Sequence, residues 1–273
     1  MQIIRTLDEL NENLKSVWEN DNELLAYVPT MGALHSGHIS LVKKAQEIAQ
    51  KTIVSIFVNP LQFSPSEDFS SYPRTYEEDI LKLLAAGIDF LYYPDFDQAY
   101  LESIEKVKAS EELSSCLCGA SRPGHFDGVC TIVNHFFELI KPDFAVFGEK
   151  DYQQLKILED MLLRQQSIID LVPGKIFRES SGLAMSSRNN YLSSEEKALA
   201  ANIYQLLSEE KKRLEDSSLE PNREMIDGAL VNIKENLVQL GFDVDYVDFK
   251  WSRIFVAVKL GATRLIDNVE INT

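Results

Sequence analysis

The chain has few cysteines and no long apolar run, and each shortage argues against a class of protein. Three cysteines in 273 residues cannot all pair, so a disulfide scaffold is not expected. No run approaches the roughly 20 apolar residues that a membrane span needs. The amino terminus also lacks the basic flank and apolar stretch of a secretory signal. We therefore expect a cytoplasmic globular protein with no membrane partner.

Positive charge is also scarce. Lysine and arginine number 27 against 43 acidic residues, which gives a formal net charge of −16. Such a surface opposes nucleic acids and anionic membranes, and it would also repel a small anionic substrate. If the ligand is a phosphate or a carboxylate, the few cations must gather in one pocket.

Four nearly continuous apolar runs predict buried strands, at 24–29, 52–59, 89–94 and 143–148. Helical patterns lie between or after them, at 39–48, 80–84, 129–140 and 152–162. Strands that alternate with helices predict an α/β fold with a doubly wound parallel sheet.

The pattern changes near residue 176, so we place one domain at 1–175 and a smaller α+β domain at 176–273. Ser193 and Glu196 form a capping box that opens a long helix, and a second helix spans about 222–240. Three strand-like runs follow: "FDVDYVDFKW", "RIFVAVKL" and "TRLIDNVEI".

Polar segments follow the predicted strands, where open α/β sheets bind ligands. The first is "TMGALHSGH", in which His35 and His38 flank Gly37 at the start of a helix. Spacing alone leaves three interpretations open: a phosphate site at a helix N-terminus, two ordinary polar residues, or a metal site. The metal site would need a third ligand, and only His125 and His135 remain as imidazoles. The pair Cys116 and Cys118 does not match the common zinc spacings either.

Other segments carry groups that suit an anion. "GEKD" at 148–151 supplies Lys150, and "SSR" at 186–188 supplies a donor cluster with Arg188. The proline-punctuated segment 59–75 contains Gln62 and could close over a substrate. Each of these three segments could also be an ordinary polar turn. Arg122 and His125 could join the pocket or only hold a loop. These residues predict an anion-binding, nucleotide-using α/β enzyme, and they do not identify a substrate.

Blocks along nearly the whole chain carry a resemblance to a known family. They are "VPTMGALHSGH", "SIFVNPLQF", "YPRT", "SRPGHFDGV", "KPDFAVFGEKDYQQL", "GLAMSSRNNYLS" and "RLIDN". In this order they resemble the pantothenate synthetase (pantoate–β-alanine ligase) family of H-x-G-H nucleotidylyltransferases. The resemblance implies that pantoate attacks the α-phosphorus of ATP to give pantoyl adenylate, and that β-alanine then displaces AMP. It also implies a Rossmann-like N-terminal domain, a C-terminal domain closing over the nucleotide, a homodimer, Mg²⁺ with the ATP and no tightly bound organic cofactor.

The resemblance also implies roles for individual residues. His38 would be the catalytic proton donor, helped by His35, Lys150 and Arg188. Gln62 and Gln154 would hold pantoate, and Gln62 would also lie near β-alanine. Contacts with ATP would come from Met31, Gly32, Ala33, Leu34, His35, Ser36, Gly37, His38, Gly148, Glu149, Lys150, Asp151, the backbone of Phe177, Met185, Ser186, Ser187 and Arg188.

Some features depart from the family or stay open. Ser181 stands where the family commonly has an aspartate, segment 95–120 matches only loosely, and no metal ligand is assigned. Glu78 and Asp79 could help to hold the metal, or they could be a solvated helix start. The alternative enzyme is another H-x-G-H nucleotidylyltransferase acting on a phosphate ester, and the alternative from another class is a nucleotide sensor without turnover.

Overall fold

The computed structural model describes residues 1–20, 22–65, 67–216 and 221–272, and the chain divides into two compact units. The first contains Met1–Glu149 and Gln153–Lys175, and the second contains Lys150–Tyr152 with the chain from Ile176 onward. Lys150–Tyr152 thus groups with the second unit although its sequence neighbours belong to the first. No helix among the described residues combines the length and apolar character needed to cross a membrane.

Within the described residues, the first unit is built on a six-stranded sheet whose neighbouring strands are all parallel. In chain order the strands are β1 (Gln2–Ile4), β2 (Leu25–Thr30), β3 (Lys51–Ile56), β4 (Phe90–Tyr92), β5 (Phe144–Gly148) and β6 (Asp170–Gly174). Their spatial order is β1-β4-β3-β2-β5-β6, so the order switches between β2 and β5. A ligand crevice is expected beyond the carboxyl ends of the strands at this switch point.

Helices connect these strands. They are α1 (Leu7–Trp18), α2 (Ser36–Ile48), α3 (Tyr76–Ala86), α4 (Gln98–Ser103), α5 (Glu111–Ser114), α6 (Leu117–Ser121), α7 (His125–Ile140) and α8 (Tyr152–Arg164). As the sequence predicts, α3 stops at Gly87, whose φ of 75° lies in the left-handed region that glycine adopts without a steric penalty.

The central strands are buried on both faces. Val28 and Val54 pack with α2 and α3 in a core that includes Leu83. On the opposite face, the Tyr27 ring makes an edge contact with Phe136 of α7, with ring centroids 6.3 Å apart. This two-sided burial explains why the strands appear in the sequence as nearly continuous apolar runs. It also fixes the carboxyl ends of β2 and β3, beyond which the ligand crevice is expected.

The second unit combines helices with a three-stranded antiparallel sheet in the order β7-β8-β9. Its elements are α9 (Ser194–Ala200), α10 (Asn202–Glu215), α11 (Arg223–Gln239), β7 (Asp243–Lys250), β8 (Arg253–Leu260) and β9 (Thr263–Glu270). The helices bury Leu207 and Ile233 against Ile254 and Val256 of β8, which gives this unit its own core.

The predicted fold class is confirmed: a parallel α/β sheet is joined by a smaller α+β part. The capping box at Ser193 and Glu196 is present, but the prediction of one long helix after it was wrong. That helix divides into α9 and α10 around Ala201, and the Asn202 side chain donates to the carbonyl of Leu199 at the break. The sequence-based predictions omitted α1, although Thr6 and Glu9 form a capping box at its start, and they also omitted the edge strands β1 and β6.

Candidate active site

The H-x-G-H segment begins as a tight turn after β2. Gly32 and Ala33 have φ values of 82° and 48°, so two successive residues adopt the left-handed region. A Cβ on Gly32 would lie 3.1 Å from Ile56 and 3.2 Å from an Asp79 oxygen, which leaves little room for a side chain. The turn brings the chain from the end of β2 directly into the N-terminus of α2.

Asp79 of α3 holds this turn from below. Its carboxylate is 1% exposed, and it accepts the N–H of Ala33 at 2.8 Å and the N–H of Leu34 at 2.7 Å. Lys82, one turn further along α3, donates to the carbonyl of Leu34 at 2.8 Å and lies 3.9 Å from Asp79. Both oxygens of Asp79 therefore serve the backbone, so its side chain is neither a solvated helix start nor set up to hold a metal ion.

His35 and His38 cap α2 with their ring nitrogens. The Nδ1 of His35 accepts the N–H of Gly37 at 3.1 Å, and the Nδ1 of His38 accepts the N–H of His35 at 3.3 Å. A ring nitrogen that accepts a hydrogen bond carries no proton, so each neutral imidazole carries its proton on Nε2. The ring centroids are 4.0 Å apart. Two Nε2–H donors thus lie together at the positive end of a helix, which suits an anion.

Gln62 ends a 3₁₀ turn, Pro60–Gln62, that packs against α7. Its amide nitrogen donates to the Met31 sulfur at 3.2 Å, and its amide oxygen accepts from Asn59 at 3.0 Å. The Asn59 amide also donates to the carbonyl of Gly128 in α7. A Cβ on Gly128 would lie 2.0 Å from the carbonyl oxygen of Leu61, so only glycine lets the turn approach this closely. Gln62 is thereby brought to Met31.

Arg122 and His125 hold the Gln62 turn, which is one of the two roles that the sequence left open for them. The Arg122 guanidinium donates to Glu67, to the His125 Nε2 at 2.9 Å and to the Gln62 carbonyl at 3.3 Å. Because Arg122 can only donate, the His125 Nε2 accepts, and its Nδ1–H donates to the Gln62 carbonyl at 2.8 Å. The two side chains fix the backbone of Gln62 in place.

This network predicts an acid-sensitive contribution to stability. Burial raises the pKa of Glu67, but hydrogen bonds from Arg122 and the Ser64 N–H outweigh burial, so the pKa lies below its ordinary value of 4.5. Its stabilisation is thus complete above pH 4.5 and is lost as the pH falls through the folded-state pKa. We expect the difference in unfolding free energy between the protein and Glu67→Gln to shrink with acidification in urea titrations. Glu77→Gln, on the exposed face of α3, is the control, and a difference independent of pH would contradict the assignment.

The segment after β5 carries further candidates. Gly148 ends β5, and Glu149–Asp151 form a 3₁₀ turn that leads into α8. Gln153 is buried, and its amide holds the 113–118 segment through the N–H of Cys118 and two carbonyls. Gln154, the residue expected to bind pantoate, is half-buried in the first turn of α8. Neighbouring glutamines therefore have different environments, and only Gln153 is shown to be structural.

Lys150 is held within the second unit. Its carbonyl accepts from the Asn268 side chain of β9 at 3.2 Å, and its ammonium lies 3.8 Å from Asp151. The Tyr152 ring lies beneath the Arg253 guanidinium, 4.1 Å from its centroid. The lysine side chain is mostly buried, whereas that of Asp151 is half-exposed.

The second cation, Arg188, follows a small hairpin in the same unit. Met185 donates to the carbonyl of Phe177, and Arg178 bridges to Ala184. Arg178 also makes two hydrogen bonds to Asp267 of β9, at 2.6 and 2.9 Å. The Ser186 hydroxyl then accepts the N–H of Arg188 and caps the 3₁₀ turn Ser187–Tyr191. The hairpin is therefore anchored on β9, the strand that also contacts Lys150.

The cysteines and the remaining histidine give no metal site. Among the described residues, no group of three or more histidine, cysteine, aspartate or glutamate side chains could hold a metal ion. Cys116, Cys118 and Cys130 are reduced thiols, and burial raises the pKa of Cys130 to about 12, so it stays protonated. His135 shares a hydrogen bond with the Tyr100 hydroxyl, at 2.9 Å from its Nε2.

A cavity of about 510 Å³ opens beside the H-x-G-H turn. Met31 and Gly32 border it, and its walls are largely apolar, with Phe57 after β3 and Phe96 after β4. This position beyond the carboxyl ends of the strands is where the sequence predicts a ligand crevice.

The comparison with known families decides the assignment. The family model described as Pantoate-beta-alanine ligase matches residues 2–270 of the chain. The chain belongs to the pantoate–β-alanine ligase family. The resemblance seen in the sequence is therefore confirmed.

Relatives support this membership along the full length. The chain is 41% identical to the pantothenate synthetase of Chromobacterium violaceum over 99% of both proteins, and 42% identical to that of Idiomarina loihiensis over 99% and 98%. The crystal structure of pantothenate synthetase from Thermus thermophilus matches with a TM-score of 0.89, 36% identity and complete coverage of both chains. Pantoate-beta-alanine ligase from Francisella tularensis, solved with beta-gamma ATP and beta-alanine, matches with a TM-score of 0.85, 33% identity and coverage of 99% and 97%.

The departure at Ser181 leaves the local turn intact in this pantoate–β-alanine ligase family member. The Ser181 hydroxyl accepts the N–H of Leu183 at 3.4 Å, a turn contact that an aspartate can also make. Gly182 follows with a φ of 92°, and a Cβ there would lie 2.6 Å from the Tyr204 ring. The glycine, and not the residue before it, sets the shape of this turn.

Several residues that hold the candidate site in place were misread or missed in the sequence. Asp79 was considered only as a metal ligand or a solvated helix start, and Asn59 and Gly128 stand in predicted polar and helical stretches without a role of their own. Asn268 lies inside a strand-like run. Only the terminal block "RLIDN" hinted at the last of them, because two polar residues interrupt an apolar strand there.

Proposed function

We propose that the chain uses ATP to ligate pantoate and β-alanine to pantothenate, through pantoyl adenylate, with release of pyrophosphate and AMP. Family membership over residues 2–270 supports the reaction class. The observation that carries the proposal within the site is the histidine pair, since both rings carry an Nε2–H donor at the N-terminus of α2. That arrangement suits phosphate oxygens better than a metal ion.

The reaction mainly requires electrostatic stabilisation of its transition state. In the first step a pantoate carboxylate oxygen bonds to the α-phosphorus, and the bond to pyrophosphate breaks. Two anions are brought together, so donors aimed at the phosphate oxygens lower the barrier. We assign His35 and His38 to these oxygens, with His38 donating to the leaving group, and the turn Met31–Leu34 to the nucleotide. In the second step the β-alanine amine forms the amide bond, loses a proton, and AMP departs.

The remaining predicted contacts supply charge and orientation. Lys150 and Arg188 would neutralise the phosphates, and Ser186, Ser187 and the neighbouring residues 148–151, 177 and 185 would complete the ATP contacts. Gln62 and Gln154 would orient pantoate, and Gln62 would also lie near β-alanine. A fixed amide such as Gln62, held at its backbone by Arg122 and His125, orients a substrate with little loss of entropy on binding.

Further parts of the proposal rest on the family resemblance alone. We propose that Mg²⁺ enters with ATP as part of the substrate, that residues 176–273 close over the nucleotide, and that the protein works in the cytoplasm as a homodimer. Light scattering of the purified protein tests the last point, since a monomer mass would contradict it.

Isotope exchange between ATP and pyrophosphate tests the reaction. Exchange should require pantoate and proceed without β-alanine, because the first step alone is reversible. Exchange that ignores pantoate but responds to a phosphate-ester substrate would instead favour the alternative nucleotidylyltransferase. Tight ATP binding with no exchange under any condition would favour a sensor.

Asp79→Asn should weaken both the fold and the activity. The amide keeps one acceptor but turns an NH₂ towards a backbone N–H, and lost hydrogen bonds to a buried charged group cost about 1.5–3 kcal/mol. We expect unfolding free energy to fall by about that amount and kcat for exchange to fall about tenfold or more, since the histidines lose their fixed position. Glu78→Gln is the matched control, because Glu78 is 71% exposed and lies 3.8 Å from the same Lys82. Equal effects of the two variants would refute the role of Asp79.

A further inference from the structure

Asn268 lies at the centre of a buried polar cluster on β9. It is 1% exposed, and its side-chain oxygen accepts from Arg253 of β8 at 3.0 Å while its side-chain nitrogen donates to the Lys150 carbonyl at 3.2 Å. Its own N–H donates to the Asp267 carboxylate at 2.8 Å. Arg253 therefore fixes the side chain of Asn268, and Asp267 fixes its backbone, independently of the contact with Lys150.

Arg253 holds the other end of the same segment. Its guanidinium lies 4.1 Å from the centroid of the Tyr152 ring, a distance at which a cation attracts the face of an aromatic ring. Phe255, also on β8, packs against the same ring with centroids 6.1 Å apart. Asn268 thus holds the carbonyl of Lys150, and Arg253 holds the side chain of Tyr152. The three-residue segment Lys150–Tyr152 is therefore held at both ends.

Burying a polar cluster costs desolvation free energy, which suggests that this cluster has a role other than stabilising the fold. Replacing a buried ion pair by apolar residues of similar volume is often neutral or stabilising, because taking charges out of water is costly. The five residues of β8 that follow Arg253, Ile254–Val258, are apolar, and Val256 and Val258 belong to the core of the unit. The cluster contacts a short segment that groups with this unit although its sequence neighbours belong to the other, and that segment carries Lys150.

We propose that Asn268, backed by Arg253, is a positioning residue that fixes the backbone of Lys150 so that its ammonium meets the phosphates of ATP. This inference rests on the proposed function of Lys150. Asn268 touches no reacting atom, and it acts by restricting where a long and flexible side chain begins. A loss of about 1 Å in such placement can cost about a hundredfold in rate.

A double-mutant cycle in pantoate-dependent ATP–pyrophosphate exchange tests the proposal. Asn268→Ala should lower kcat about ten- to a hundredfold and leave the KM for pantoate unchanged. In a Lys150→Ala background the same change should cost no more than about twofold, because the residue it positions is already gone. Asn236→Ala, on α11 with its side chain bonded to Asn232, is the matched control and should stay within about twofold of the parent protein.

Other outcomes overturn the proposal. An equal loss from Asn268→Ala in both backgrounds would show that the asparagine acts independently of Lys150, and unchanged kcat would show that it does not act. Should Asn268→Ala fail to fold, Arg253→Lys takes its place, since it keeps the charge but loses the planar stack on Tyr152. Absence of pantoate-dependent exchange in the unmodified protein would instead contradict the proposed function.

A second measurement does not depend on turnover. ATP should protect Lys150 from acetylation, measured by mass spectrometry, in the unmodified protein and much less in Asn268→Ala. Two results would overturn the positioning role even if exchange is never observed. Either ATP does not change the acetylation of Lys150 in the unmodified protein, or ATP protects Lys150 equally in the unmodified protein and in Asn268→Ala.

Discussion

Replacing His38 or Lys150 by alanine is expected to lower kcat for pantoate-dependent exchange by about 10²–10³, or several kcal/mol of transition-state stabilisation. His38 carries an Nε2–H donor, and Lys150 is one of few cations in a chain with a net charge of −16. Each variant removes a group that would meet charge developing on the phosphates. Steady-state exchange rates, with circular dichroism to verify folding, provide the measurement.

Two controls separate this loss from simpler effects. Lys44→Ala removes one positive charge from α2 at a surface pair with Glu47 and should leave kcat within about twofold. His38→Ala also removes the acceptor of the His35 N–H, a capping contact whose loss costs roughly 1 kcal/mol of stability. His38→Asn retains an acceptor near the cap, so a similar fall in kcat in that variant would assign the effect to the lost donor. Near-normal turnover in an alanine variant would remove the role given to that residue.

Gly128→Ala is expected to damage the site through the backbone alone. The added Cβ would lie 2.0 Å from the Leu61 oxygen, 2.3 Å from the Leu61 carbonyl carbon and 2.7 Å from the Gln62 nitrogen, so the turn or α7 must shift. Overpacking of this kind costs about 1–3 kcal/mol or more. The displaced Gln62 should raise the KM for pantoate, measured by exchange, while thermal unfolding reports the loss of stability.

Gly228→Ala supplies a control of opposite sign. Gly228 lies in α11, and a Cβ there would meet nothing within 4 Å. Alanine in a helix interior is favoured over glycine by about 0.5–1 kcal/mol, so this variant should be slightly more stable with unchanged KM. A Gly128→Ala protein with normal stability and normal KM would refute the argument that close approach of the turn to α7 places Gln62.

The central strands were predictable, whereas the edges of the sheet were not. β2 and β3 are largely buried, and the run Leu25–Pro29 together with Ile53, Val54 and Ile56 gives the two strands a clear apolar pattern. β1 has only three residues, and β6 contains Pro173 and is largely not buried, so neither has a clear pattern. The break at Ala201 also escaped prediction, since "SSEEKALAANIYQLL" contains no glycine or proline to mark it.

The candidate site was predictable as a set of motifs but not as an arrangement. Gly32, Gly37 and the histidines carry a local signal, because a turn followed by a helix start needs them close in sequence. The proton positions on His35 and His38 depend on which nitrogen faces the backbone, which no spacing reveals. The contact between Asn268 and Lys150 joins residues 118 positions apart, so it follows from the tertiary fold alone.

The central claim, that the pantoate carboxylate is activated by transfer of the adenylyl group, can be tested directly with an oxygen label. Pantoate labelled with ¹⁸O in its carboxylate should give AMP that carries one labelled oxygen, because the oxygen that attacks the α-phosphorus leaves with AMP when β-alanine forms the amide. Mass spectrometry of the products from a complete reaction reads this out. Label found in inorganic phosphate together with ADP, or AMP without label, would contradict the account.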